Sequence, residues 1–230
     1  MQYYGQYKGV RNGTWELLIQ SSLGRLPVPV FQLTGQLGIP VIDYAAAQTY
    51  LQTLHLAGHC HDNDGFALCS GDFWCVFLGD QASHWQSRLF TLAHELGHVF
   101  LGHRMQTQTR LDTPPIHYTK INNPSLNTGI ERAANLFATR LLSPACVLWA
   151  LSLRMPTHIV GHCGIPLYWA QKRAERMELL YQRDQFLQTQ RERDLFSLFT
   201  EYILSQSPHG CFPDHVKRRL EQTNAFMDPV

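Results

Sequence analysis

The sequence predicts an α+β fold in which a helical core carries a small, mainly antiparallel sheet and is followed by a helical C-terminal extension. Three observations lead there. Apolar residues recur at helical spacing over most of the chain, two short apolar runs flank a Gly71-Asp72 turn near its middle, and from 157 to 204 the pattern is helical. The expected organisation is one domain over 1–150, a helical, helix-turn-helix-like extension over 151–206, and a loosely attached tail over 207–230, where Pro208, Gly210, Pro213 and Pro229 interrupt the pattern.

Residues 11–23 and 28–38 show helix-like apolar spacing, and Pro40 to Tyr44 reads as a short strand before a helix over 45–57. The runs Gly65 to Ser70 and Phe73 to Leu78 bracket a turn-forming dipeptide and read as a hairpin, ended by Gly79-Asp80. A long helix is expected from Ser83 to Gly102. A loop rich in Thr, Pro and Asn is expected from Gln106 to Asn127. Helix resumes over Thr128 to Leu142, stops near Ser143-Pro144, and continues from Cys146 to Arg154 until Pro156 breaks it.

At 230 residues, 44% of them apolar and 16% charged, the chain is long enough to bury a sizeable core. Lys and Arg total 19 against 18 Asp and Glu, so a net charge of +1 provides no long-range field to gather nucleic acid or anionic lipid. No apolar run approaches membrane-spanning length, and the start lacks a basic stretch leading into an apolar one, so a cytoplasmic location and no membrane partner are expected. The six cysteines lack Cys-x-x-Cys spacing and read as reduced thiols, most of them small core residues.

The strongest chemical signal is Thr91-Leu-Ala-His94-Glu95-Leu-Gly-His98-Val-Phe100. Histidines four apart on a helix lie one turn above the other, so both rings reach one ion at about 2.0–2.1 Å. Glu95, one step round the helix, is placed to act as general base on a water at that ion. The residues between are uncharged and include no proline, as a buried helix requires. The alternative makes His94 and His98 hydrogen-bonded core residues and Glu95 a surface charge, which leaves a carboxylate unexplained in an apolar stretch. A third ligand is expected from a separate helix. Glu131, Asn135, Ala138 and Leu142 form one helical stripe: Glu131 would complete the site, Asn135 would accept the free ring N–H of a ligating histidine, and small Ala138 would let two helices approach. Glu131 could instead be a first-turn carboxylate favouring the helix dipole.

Two neutral imidazoles and one carboxylate leave Zn²⁺ with positive charge and an open position, the arrangement of a catalytic site. His103, His117 and Tyr118 are candidate donors to an oxyanion.

Followed about thirty residues later by Glu131-x-x-x-Asn135-x-Phe137-Ala138-x-x-Leu141-Leu142-x-Pro144, the motif resembles the ImmA/IrrE family of zinc metallopeptidases. The Gly65-Phe66 hairpin and the Ser87-Arg88-x-Phe90-Thr91 approach are similar too, so the resemblance covers about 28 to 180. It departs at Ala133, where many members are acidic, and at Ser143, where many carry Met. The resemblance implies a zincin-like core, one catalytic zinc ion, and a regulatory endopeptidase that cuts a helix-turn-helix transcriptional repressor. If the fold is zincin-like, the Phe73–Leu78 strand is a candidate sheet edge to which an extended substrate could add, an ordinary buried strand being the alternative.

Two other clusters have ligand-like spacing, His55-x-x-x-His59-Cys60-His61 and His158-x-x-x-His162-Cys163; without an adjacent glutamate they read as solvated or capping histidines. Thr157 to Arg173 resembles a helix-turn-helix. Between Pro156 and Leu204, however, Lys172, Arg173, Arg176, Arg183, Arg191 and Arg193 are offset by Glu175, Glu178, Asp184, Glu192, Asp194 and Glu201. No basic stripe is left for phosphates, so direct nucleic-acid binding is not expected and the segment reads as a packing and substrate-docking appendage. The competing functions are a DNA- or protein-binding regulator that keeps the scaffold without turnover, and a zinc hydrolase of a non-peptide amide.

Overall fold

A computed structural model describes residues 2–54, 56, 64–79, 85–103, 106–110, 113–118, 128–207 and 209–224. The fold is α+β, with eleven helices and one five-stranded sheet among the described residues. Two compact units divide it. One comprises Met1–Val10 and Val30–Ala138, the other Arg11–Pro29 and Thr139–Val230. This division differs from the expected one at 150: residues 11–29 and 139–150 pack with the C-terminal helices.

In the first unit, the end of the helix α2 (Val30–Gln36) leads to β1 (Val41–Asp43), α3 (Tyr44–Thr53) and the expected hairpin of β2 (Gly65–Ser70) and β3 (Phe73–Leu78), closed at Gly71 with φ +59°. The strand order is β1-β3-β2-β5-β4; β1 runs parallel to β3 and every other neighbour is antiparallel. β3 therefore has a partner on both sides. Of its two readings the free edge for substrate is contradicted and the ordinary buried strand holds; among the described residues the sheet edges are β1 and β4. Phe66, Leu68, Cys75 and Phe77 point to one face and form a core with Tyr44, Ala47 and Leu51 of α3. Ala67, Cys69, Val76 and Leu78, on the opposite face by the two-residue period, are buried as well. Each such fully buried large side chain contributes about 1.5–3 kcal/mol. The helix α4 (Trp85–Phe100) packs against both β2 and β3.

The expected loop from Gln106 to Asn127 is also corrected. It holds a second hairpin, β4 (Gln106–Arg110) and β5 (Thr113–Tyr118), whose β5 pairs with β2 from Ile116 to Tyr118. Neither strand has apolar alternation, and Pro114-Pro115 argued against strand. Those prolines lie in the part of β5 that pairs only with β4, beside an irregularity between Gln108 and Arg110, where a missing N–H costs the central ladder nothing.

α5 (Thr128–Leu142) ends the first unit at Ala138, and its last turn belongs to the second unit with most of α1 (Gln2–Ser21). There α6 (Ala145–Ala150), α7 (Pro156–Cys163), α8 (Leu167–Gln182), α9 (Gln190–Leu198), α10 (Thr200–Ser205) and α11 (Asp214–Asn224) are all helical. α7 and α8 pack on each other around Gly164 (φ 65°), a helix-turn-helix arrangement. The expected loose tail is instead helical over 214–224. Val216 is fully buried, His215 Nε2–H donates to the Trp149 carbonyl at 3.0 Å, and Arg219 pairs with Asp184. Only one buried apolar residue, together with these polar contacts and the edge of His215 on Trp149 (ring centroids 5.1 Å), marks α11, too sparse a pattern to read along the chain.

Cys69, Cys75, Cys146 and Cys163 are buried free thiols and Cys211 is an exposed one. Burial pushes the Cys75 and Cys163 thiols up to about 12, which keeps both protonated and inert. Among the described residues no helix is long and apolar enough to cross a membrane.

Thr189 caps α9 by accepting from the Glu192 N–H at 3.3 Å, while buried Glu192 accepts from the Gln188 N–H at 3.2 Å. Burial raises the Glu192 carboxyl above its ordinary range despite these bonds. The folded state then holds a proton that the unfolded chain releases, so stability contributed by this group is present at low pH and lost as pH rises from about 4 through the raised value. Glu192→Gln, which keeps an acceptor and removes the charge, is expected to flatten that loss; a melting temperature that varies with pH as in the wild type would contradict it.

Candidate metal centre

α4 contains no proline and buries Leu89, Phe90, Leu92, Ala93, Leu96 and Gly97 as one face. The same helix carries His94, Glu95 and His98. His98 is 1% exposed and Glu95 5%, so two polar groups sit where apolar packing would be expected. α5 runs against α4 with Ala133, Ala134, Phe137 and Ala138 buried. The two helices meet at Gly97. A Cβ added there would lie 3.1 Å from the Phe137 Cβ and 3.2 Å from the Ala134 carbonyl oxygen. Ala138 is small and buried as expected, and at the glycine inside the histidine motif a side chain would need its neighbours to give by a few tenths of an ångström.

That approach brings Glu131 to the two histidines. His94 Nε2 and His98 Nε2 are 3.0 Å apart, His94 Nε2 is 3.2 Å from Glu131 Oε2, and His98 Nε2 is 3.6 Å from Glu131 Oε1. Donor atoms around an ion with bonds of about 2.0–2.1 Å stand about 3.3 Å apart along each tetrahedral edge, and the three observed distances bracket that spacing. His94, His98 and Glu131 could therefore hold a metal ion, and no other trio of His, Cys, Asp or Glu among the described residues meets so closely. Two nitrogens and a carboxylate oxygen are the donor types zinc takes in catalytic sites. The Glu131 side chain is 42% exposed, so the cluster is open to solvent on its side.

The electrostatics point the same way. Burial raises the Glu131 carboxyl, but hydrogen bonds from His94 and His98 outweigh it and hold the group well below the usual carboxylate range. For His94, burial disfavours the charged ring, while the bond to Glu131 and the charges of Glu95 and Glu131 overcome it and raise its pKa. The surroundings of His94 thus favour positive charge on its ring.

Each histidine has a partner on its other nitrogen. His94 Nδ1–H donates to Asn135 Oδ1 at 3.0 Å, the contact expected of Asn135. His98 Nδ1 lies 3.0 Å from His103 Nδ1. His103 was only one of several unranked oxyanion candidates; its ring stands behind His98, away from the cluster, and burial together with His98 lowers its pKa to about 4. His117 and Tyr118 are on β5, in register with Cys69 and Leu68. His162 Nδ1 meets the Tyr202 hydroxyl at 3.3 Å and Cys163 is buried, so the α7 pattern gathers no ligand set. The His55, His59, Cys60 and His61 cluster lies outside the described residues.

The family model Peptidase_M78, described as IrrE N-terminal-like domain, matches residues 36–174. No curated protein and no solved structure matches the chain.

Gly97→Ala should push α5 and Glu131 away by a few tenths of an ångström. The expected outcome is a lower melting temperature and a weaker affinity for a divalent metal ion, read by competition with a chromophoric chelator; unchanged affinity would mean that the helix spacing does not control the site. Asn135→Ala should raise the same constant about 10–100-fold with helix content by circular dichroism unaltered.

Proposed function

Because the chain belongs to the family of IrrE N-terminal-like peptidases, we propose that it is a zinc-dependent endopeptidase whose metal is held by His94, His98 and Glu131 and whose general base is Glu95. The observation that carries this reading is the convergence of two Nε2 atoms, 3.0 Å apart, on the carboxylate of Glu131 from a separate helix, His94 Nε2 3.2 Å from Oε2 and His98 Nε2 3.6 Å from Oε1. We read the motif helix packed on a small sheet as a zincin-like core.

Zinc bound there would supply a Lewis acid that brings the pKa of a water to around 7 and polarises a carbonyl oxygen. The protein's own part is positional. Asn135 holds the proton of His94 on Nδ1, which leaves the Nε2 lone pair facing the cluster. Glu131 supplies the negative charge that makes the cluster a cation site. Glu95, buried and adjacent to His94, accepts a proton from the attacking water as its oxygen bonds to the peptide carbon. As the carbon–nitrogen bond breaks, Glu95 returns that proton to the leaving amine. Burial keeps the carboxylate out of bulk water during both transfers.

The substrate follows from the resemblance alone: a helix-turn-helix transcriptional repressor. The packed pair α7 and α8 favours a second reading, a regulator that binds a partner without turnover.

Glu95→Gln separates them. It is expected to retain zinc while lowering kcat/KM about 10²–10⁴-fold. Incubation of the purified full chain with a repressor encoded beside it, followed by mass spectrometry, should yield two fragments with zinc and none with chelator. Repressor that stays intact under every metal condition would count against the protease, and biological activity undiminished in Glu95→Gln would favour the binder.

A further inference from the structure

We propose that His103 is a positioning residue for the metal centre: it accepts the Nδ1–H of His98 and so fixes that ligand's tautomer and ring angle. The inference rests on the metal reading above and adds a residue to it.

The geometry begins with the end of α4. Gly102 has φ +66°, a conformation glycine adopts without the strain of a Cβ, and nothing lies within 4 Å of where a Cβ would project. The Gly102 N–H bonds to the Val99 carbonyl at 3.1 Å and the His103 N–H to the His98 carbonyl at 2.9 Å. This pair of bonds is the Schellman ending of a helix, which brings the residue after the glycine back over the residue five before it. In that motif the contact is frequently between apolar side chains. Here it joins two imidazoles, Nδ1 to Nδ1 at 3.0 Å, with ring centroids 5.1 Å apart and planes at 69°.

Two nitrogens at that distance share one hydrogen. If His98 carries it, His98 Nε2 is a free lone pair turned toward His94 and Glu131. If His103 carries it, His98 is protonated on Nε2 and has no lone pair there to offer. Only the first arrangement makes a ligand, and it requires His103 to keep its own proton on Nε2. His94 is set in the equivalent state by Asn135. The two ligands are thus oriented by different means, one by an amide from α5 and the other by the turn that ends their own helix. The sequence signature is His98-Val-Phe-Leu-Gly102-His103.

The test compares His103→Ala with His103→Asn, whose amide oxygen reaches the Nδ1 position and can accept the same hydrogen. Zinc affinity is measured on the full chain by chelator competition, and the His98 tautomer by long-range ¹H–¹⁵N spectra of the zinc-loaded protein. The expected result is a dissociation constant raised about 10–100-fold in His103→Ala, largely recovered in His103→Asn, with the His98 Nδ1 proton slowly exchanging in the wild type and in His103→Asn only. Gly102→Val, which keeps the imidazole but strains the turn, should fall between them. Wild-type affinity in His103→Ala, or equal losses in both His103 variants, would overturn the proposal. Glu131→Ala is the control: a wild type that binds no zinc, or a Glu131→Ala variant that binds it equally well, refutes the metal centre itself rather than the role of His103.

Discussion

The close approach of α4 and α5 at Gly97 governs the site. Helices that carry ordinary side chains at their contact stand 8–10 Å apart, and here the α4 backbone meets the Phe137 side chain and the Ala134 carbonyl with no Cβ between. Glu131 lies one turn N-terminal to Ala134 and Asn135 on the same helix, so the spacing that seats Phe137 also sets where the carboxylate falls relative to His94 and His98. Packing and the geometry of the His94, His98 and Glu131 cluster are one constraint. The buried face of α4 against β2 and β3 supplies the rigid side of that contact, and the apolar stripe of α5 supplies the other.

Within that frame the polar groups have a consistent logic. A buried carboxylate and buried imidazoles are costly unless paired. Glu95 and His98 are almost wholly enclosed, and the cluster answers the cost by favouring positive charge: the Glu131 carboxyl is depressed and the His94 ring is raised, each by the other's presence. A proton can meet that demand, and so could a metal ion held by the same three residues. The far nitrogens of both rings are occupied as well, by Asn135 and His103, so the near nitrogens face inward.

The parts of the fold that were legible along the chain are those with strong local periodicity. The β2–β3 hairpin combined two apolar runs with a glycine turn, and α4, α5, α7 and α8 combined apolar stripes with proline or glycine ends. β4 and β5 were not legible, because Gln-Thr-Gln-Thr-Arg has no apolar alternation and Pro114-Pro115 carries a breaker signal; their strand state comes from hydrogen bonding to β2 and to each other. β3 read as a possible edge because neighbours in a sheet leave no mark on a single strand. α11 read as a tail because one buried valine in a basic, proline-flanked segment is a weak pattern. His103 was visible as a histidine, but its use depends on a left-handed turn that only a backbone conformation reveals.

What the chain determines by itself is chemistry carried by short intervals: two histidines and a glutamate within one helical turn, and a second helix presenting Glu131 and Asn135 four apart. Helical geometry is local, so a spacing of four residues already states which side chains share a face. What only the tertiary structure decides is which faces meet and at what distance, because contacts between segments distant in sequence are set by the packing of whole surfaces and not by any one residue. The separations among His94, His98 and Glu131, the two partners on the outer ring nitrogens, and the two-sided pairing of β3 all belong to that second kind.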